Sequence, residues 1–354
     1  MLVTIFDTNG SAVIDSIGAQ LISYKDSTGK EYIWQRDPKF WNRCSPLLFP
    51  IVGNCRNNKT IIEGETCCIE KHGFCRDVDF QVTRQSDTMV TFEIHDTEET
   101  KAIYPYSFRL SLTYVIENGM LSMEYCVANT DDRTIYYCLG AHPGFNCPME
   151  EGASFTDYEL EFEEDETASS MVYDLGHLQF DPSHRVPRLD HSRRLPLTRE
   201  LFKDDAVYFD DLNSRKVSII NKNTGHGIEV GFPGFETVAF WTPYPAEAPF
   251  LCVEPWNGSG IYATEDDEFV HKNHVQKLET GKSKTYGLTM RIIMYRSWKQ
   301  GKAKLTVLPF GSSDWNKKAG IIWKKQLFSS LCLLQIIPVF LSVVSHLLYL
   351  ACYA

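Results

Sequence analysis

Apolar and polar residues alternate with a period of two along most of the first 298 positions. Phe108, Leu110, Leu112, Tyr114 and Ile116 interleave with Arg109, Ser111, Thr113 and Val115. After Glu117-Asn118-Gly119-Met120 the alternation resumes at Leu121, Met123, Tyr125 and Val127. Successive strand side chains point to opposite faces, so this pattern predicts half-buried strands. An Asn-Gly between two such runs predicts a tight hairpin, because both central residues need positive φ. Asn9-Gly10 repeats the signal between residues 3–7 and 12–16, and Thr28-Gly29 sits between 20–24 and 31–34. Shorter strands are expected at 78–83, 89–94, 134–139, 158–162, 217–221, 227–230 and 237–241. Helical periodicity is nearly absent before residue 300. The expected class is therefore all-β, with antiparallel hairpins forming a sandwich or barrel.

Two segments break the pattern. Residues 163–203 are polar and contain Pro182, Pro187 and Pro196, which predicts a long loop that covers something or carries function. From residue 299 the chain turns basic, with seven Lys against one Asp, and residues 327–354 then hold no Asp, Glu, Lys or Arg. About 20 apolar residues span a hydrocarbon core, and flanking lysines would stay on the cytoplasmic side. A membrane tether through 327–354 and an appendage without function are both open for this tail. The expected organisation is one β domain over 1–298 and a separate tail over 299–354.

The whole chain of 354 residues carries a formal charge of −11. Because the tail contributes +6, residues 1–298 sum to −17, which argues against a nucleic-acid partner. Eleven cysteines, an odd number with no C-x-x-C spacing, read as reduced thiols of a cytoplasmic protein. No signal peptide is legible in residues 1–11. His177, His184 and His191 recur every seven residues without a completing ligand, and His271-x-x-His274 reads as surface, so no metal centre and no cofactor are expected.

Three stretches place an ionisable group among Gly, Pro and aromatics: Lys71-His72-Gly73-Phe74-Cys75-Arg76, Leu139-Gly140-Ala141-His142-Pro143-Gly144-Phe145, and Phe250-Leu251-Cys252-Val253-Glu254-Pro255-Trp256. Glu254 follows an apolar run, so its carboxylate is expected at a strand end in a setting that raises its pKa. Two imidazoles and one carboxylate can move protons. Trp41, Phe74, Phe145, Trp241 and Trp256 lie near these motifs, but aromatics on alternating strands are mostly core, and none is assigned to a ligand.

In this order, Trp41-Asn42-Arg43, residues 46–53 (PLLFPIVG), His72-Gly73-Phe74-Cys75-Arg76, His142-Pro143-Gly144-Phe145, residues 201–206 (LFKDDA) and Glu254-Pro255-Trp256 resemble the aldose 1-epimerase (galactose mutarotase-like) superfamily, and within it the LacX-like branch. The resemblance covers nearly all of residues 1–298. It implies a large antiparallel β-supersandwich and a cofactor-independent mutarotase that interconverts the α and β anomers of a hexose or hexose phosphate. It further implies Glu254 as the base at the anomeric hydroxyl and His142 as the acid at the ring oxygen. His72 and Asp205 would bind substrate. The chain departs from the galactose mutarotases at Asn57-Asn58, where they carry Asn-Arg, so their sugar-binding arginine is missing there. The His-Gly-Phe-x-Arg stretch is similar to that of the hexose-6-phosphate epimerases, whose arginines contact phosphate; Arg76, with Arg43, would then bind an anionic substituent, unless Arg76 instead pairs with an acidic side chain. A non-catalytic carbohydrate-binding or regulatory module on the same fold is the alternative.

Overall fold

The computed structural model describes residues 1–294; the expected tail over 299–354 lies outside the described residues. Among the described residues, fifteen strands form one antiparallel sheet that runs from Leu47–Leu48 through Phe250–Asn257, Thr237–Trp241 and Ser283–Ile293 to Gln81–Gln85. A three-stranded sheet, Leu2–Phe6, Gly10–Asp15 and Gln20–Asp26, and two two-stranded sheets complete it. The architecture is the β-sandwich that the alternation predicts. One short α-helix, Glu98–Lys101, occurs among the described residues, and none there is long and apolar enough to cross a membrane.

The period-two readings translate directly into buried faces. Phe108–Glu117 pairs with Met120–Asn129 in the register Ile116↔Leu121 and Tyr114↔Met123, and the apolar set of each strand is buried. Asn118 and Gly119 take φ values of 52° and 75°, the two-residue turn expected for Asn-Gly. The Asn9-Gly10 hairpin forms by other means. Neither residue has positive φ, and the Asp7 carboxylate instead accepts the Asn9 and Gly10 N–H groups at 2.7 and 2.9 Å. Its second oxygen accepts the Gly119 N–H at 2.8 Å, so one side chain ties two hairpins together.

Residues 163–203 are not a loop. Tyr158–Asp174 and Gln179–Pro196 form a long hairpin, and the acidic run lies on its first strand. Register shifts between Glu161 and Val172 interrupt the period of two, which hides the strands from a pattern reading. Apart from one bridge between Phe180 and Tyr262, Gln179–Pro196 pairs only with Tyr158–Asp174 among the described residues, and on such an edge a proline costs no ladder hydrogen bond. Glu166 is buried at one of these irregularities, where the Ser214 N–H and Oγ donate to it at 2.7 and 2.6 Å. The strand expected at 78–83 is displaced to Gln81–Gln85, because Cys75–Asp77 forms a 3-10 turn just before it.

The segments carrying residues 46–53 and 72–76 are locked backbone to backbone. The Phe74 N–H donates to Phe49 O at 3.1 Å, and the His72 N–H donates to Gly53 O at 2.7 Å. Between them Gly73 has φ +72°, and a Cβ there would collide with the Phe49 carbonyl. Left-handed strain and a backbone clash both act on Gly73→Ala. We expect it to lose about 2 kcal/mol or more of unfolding free energy by urea titration; a midpoint unchanged from wild type would contradict this packing.

Candidate active site

Every residue of the Phe250–Asn257 strand is buried. On one edge it pairs continuously with Thr237–Trp241, with Glu254 opposite Ala239. On the other edge the partner strand is broken. Leu139–Ala141 pairs through Leu139↔Asn257 and Gly140↔Trp256, and Gly144–Asn146 resumes at Gly144↔Cys252. His142 and Pro143 fill the gap. A proline contributes no N–H to a ladder, and Pro143 serves only as acceptor of the Val253 N–H at 3.1 Å. The interruption releases His142 from regular pairing and brings its ring to Glu254. Gly140 is needed beside it, because a Cβ there would stand 2.8 Å from Trp256 Cδ1. Glu254 itself is mid-strand and not at a strand end as expected; its burial comes from sheet on both sides.

His142 Nε2 lies 3.0 Å from Glu254 Oε2. The imidazole stacks on Trp41 at 4.9 Å, meets Trp241 edge-on at 5.8 Å and stands perpendicular to His72 at 5.7 Å. Burial pulls the His142 imidazole down to about 3, with Lys71 and Arg76 adding to the effect. Burial also pushes Glu254 well above the usual carboxylate range; Asp205 reinforces this and Lys71 opposes it. A charged pair at 3.0 Å and a neutral pair contain the same single proton. With both groups buried, we assign the resting state to the neutral form, a carboxylic acid donating to imidazole.

His72 has φ +69°, and its Nδ1 accepts the Gly53 N–H at 3.1 Å, which places the ring proton on Nε2. Burial, followed by Lys71, His142, Arg76 and Arg43, holds it neutral well below the ordinary histidine value. Asp205 also has positive φ, 75°, and accepts the Trp241 Nε1–H at 2.9 Å.

All five sequence-predicted residues (Glu254, His142, His72, Arg76 and Asp205) line one cavity of about 320 Å³, and Arg43 joins them. The fate of Arg76 lies between the two readings of it. Its Nε is 3.6 Å from Asp77 and has no hydrogen-bond partner, while Arg43 holds the same carboxylate at 2.9 Å. Trp41, Trp241 and Trp256 line the cavity, whereas Phe145 is buried core and Phe74 packs on Phe49 and Phe108.

The sequence reading missed Lys71, Asn54, Tyr173 and Phe180 as lining residues. Lys71 stood inside a quoted motif without a role. Asn54 joins two walls: its Nδ2 donates to Leu178 O at 2.9 Å at the tip of the long hairpin, and its Oδ1 faces the Tyr173 hydroxyl at 3.4 Å. Arg56, near the position of the missing family arginine, turns away to Asp267 and Gln179. His177 and His271 are exposed and paired with Asp174 and Asp266. His142, Cys252 and Glu254 bring one ligand atom each within 4.8 Å of one another.

Comparison with known proteins shows what the chain is similar to. The aldose 1-epimerase family model matches residues 1–274. The LacX proteins of Lactococcus lactis subsp. lactis, plasmid and chromosomal, are 36% identical over 286 residues, covering 78% of this chain and 94% of theirs. A galactose mutarotase related enzyme from Lactobacillus acidophilus superimposes with a TM-score of 0.79 at 30% identity, over 84% of this chain and 99% of its own. A galactose mutarotase-like protein from Lactobacillus casei does so with a TM-score of 0.75 at 30% identity, over 83% and 100%. The fold, the order of the motifs and these relatives together place the chain in the aldose 1-epimerase family.

Proposed function

We propose that the protein is a cofactor-independent mutarotase acting on a single hexose, with a phosphorylated hexose preferred. The observation that carries this reading is the 3.0 Å approach of His142 to Glu254 inside one small cavity. A volume of about 320 Å³ is near the lower end for ligand pockets and suits one pyranose.

In this mechanism the sugar enters between the two groups and separates them. Glu254, as carboxylate, takes the proton of the anomeric hydroxyl, while His142, as imidazolium, gives its proton to the ring oxygen. The bond between the anomeric carbon and the ring oxygen breaks, leaving the free aldehyde. Rotation about the adjacent C–C bond exposes the other carbonyl face. Closure then returns each proton by the reverse path. One proton enters and leaves with the pair, so the neutral resting form and the working ion pair differ only in where that proton sits. His72 donates its Nε2–H toward the ring oxygen, and Asp205 accepts from a sugar hydroxyl. The Trp41 and Trp241 rings around His142 exclude water from the proton path.

The preference for phosphate rests on the cations. Lys71, Arg43 and Arg76 line the cavity of an acidic protein, and Lys71 has no ion pair among the described residues. A guanidinium with an unused Nε–H is suited to a phosphate oxygen.

Anomer exchange followed by polarimetry or NMR, with fresh α-glucose, α-galactose and glucose 6-phosphate, tests the reaction. The purified chain should accelerate at least one of them, and Glu254→Gln should lower kcat roughly 10²–10⁴-fold. Calorimetric sugar binding without exchange would replace the enzyme with a carbohydrate-binding module. Arg76→Leu should raise KM for glucose 6-phosphate roughly 10–100-fold over its effect on glucose, the weight of one charge-assisted hydrogen bond; equal effects on both sugars would remove the phosphate preference.

The pH profile follows from the pair. Lowering pH adds a second proton to His142, whose value is pulled down to about 3, so the acid limb belongs there and not near the free imidazole value of about 6.5. The alkaline limb belongs to loss of the shared proton, at the raised value of Glu254. With a neutral sugar, kcat/KM should show no acid limb near 6.5; a single inflection there, falling toward acid, would contradict the shared-proton assignment.

A further inference from the structure

Cys252 precedes Glu254 by two residues on the same strand, so the two side chains share a face. Its thiol is fully buried and has no part in the proton transfers. One ring nitrogen of His142, the Cys252 sulfur and one Glu254 carboxylate oxygen all lie within 4.8 Å of one another. Zinc binds nitrogen and oxygen at about 2.0–2.2 Å and thiolate sulfur at about 2.3 Å, so its tetrahedral ligands stand roughly 3.4–3.6 Å apart. Closing the difference of about 1 Å asks for a change in the side-chain torsions of Cys252 and Glu254.

We propose that His142, Cys252 and Glu254 form a three-ligand site for a thiophilic divalent cation of the zinc class, and that its occupancy inhibits the protein by tying up the acid–base pair. The chemistry favours this set over a hard cation: imidazole and thiolate select zinc, cobalt and cadmium over magnesium and calcium. Three protein ligands leave a fourth position, and the cavity lies against Glu254 and His142 to supply it. On binding, the Cys252 thiol loses its proton to solvent as the sulfur–metal bond forms, and the proton held between Glu254 and His142 also leaves. Two positive charges enter and two protons depart, so the local net charge is unchanged, and the nearby Lys71, Arg43 and Arg76 do not oppose the bound state. No electron is transferred.

Binding stands without the proposed reaction; inhibition rests on it. The test titrates the full-length chain with Co²⁺ alone, read by the thiolate-to-cobalt charge-transfer band, and with Zn²⁺ alone by calorimetry. Wild type should show the sulfur band and one tight site. Cys252→Ala should lose the band and weaken Zn²⁺ roughly 100-fold or more, the upper end of the loss seen for mere outer-shell partners. It should also keep wild-type anomer exchange while becoming insensitive to Zn²⁺, and in wild type Zn²⁺ should compete with sugar. Undiminished Zn²⁺ affinity in Cys252→Ala, or a cobalt complex without a sulfur band, overturns the site. A cobalt–sulfur band that depends on Cys252 in a chain with no anomer exchange upholds the site and rejects the reaction instead.

Discussion

The site depends on a broken ladder. A strand buried along its whole length would ordinarily pair on both edges, and most of Phe250–Asn257 does. Its second edge is served by two short strands with His142-Pro143 between them. A buried carboxylate normally costs several kcal/mol unless it is paired. The break resolves this at Glu254 by presenting an imidazole at 3.0 Å. The same feature that makes Glu254 tolerable in the fold thus supplies its chemical partner. Pro143 and Pro255, which would weaken a regular sheet, are here parts of the arrangement that keeps the ladder open.

Around this pair basic groups gather beside acidic ones. The described residues belong to a strongly acidic stretch of chain, yet Lys71, Arg43 and Arg76 line the cavity with Asp205 and Glu254, and Asp77 pairs with the two arginines. Clefts focus field lines between low-dielectric walls, so charges lining a cavity act more strongly on a small ligand than charges on the distant surface. Burial pulls both imidazoles down; Lys71 and Arg76 add to this at each, and Arg43 at His72. The depression of the histidines is therefore a property of the whole cavity and not of any one contact.

How much of this was legible in the sequence varied with the physics. Tight turns and alternation identified Phe108–Asn129 almost residue for residue, because one face is wet and the other dry. The strand of Glu254 has no such contrast, since both faces are buried, and its interior position was misread as an end. The hairpin from Tyr158 to Pro196 was hidden for a different reason: bulges shift its register, and an edge strand accepts the prolines that elsewhere argue against a strand. Of the five residues expected at the site, all of which line the cavity, His72, Arg76, His142 and Glu254 stand in short motifs of ionisable groups among Gly, Pro and aromatics, and Asp205 was legible only through the family resemblance. Asn54, Tyr173 and Phe180 carry no such chemical mark, and only the tertiary fold brings them to the cavity.

That missed hairpin connects fold to chemistry. Tyr173 and Phe180 are cross-strand partners, and from Phe180 a run of aromatic contacts leads through Tyr208, at 4.8 Å, to Trp256, at 5.6 Å. Trp256 lies two residues from Glu254 on the same face of its strand. The hairpin wall is therefore continuous with the strand that carries Glu254, and Asn54 clasps its tip to the segment that fixes His72 through Gly53. An acid–base pair in water would be weakened by high dielectric and by competing hydrogen bonds. Enclosing it costs buried polar atoms without partners, His142 Nδ1 and Arg76 Nε among them. Such atoms typically cost about 1–3 kcal/mol each in a folded protein. A large sheet can carry that cost at one point, because many paired strands surround it.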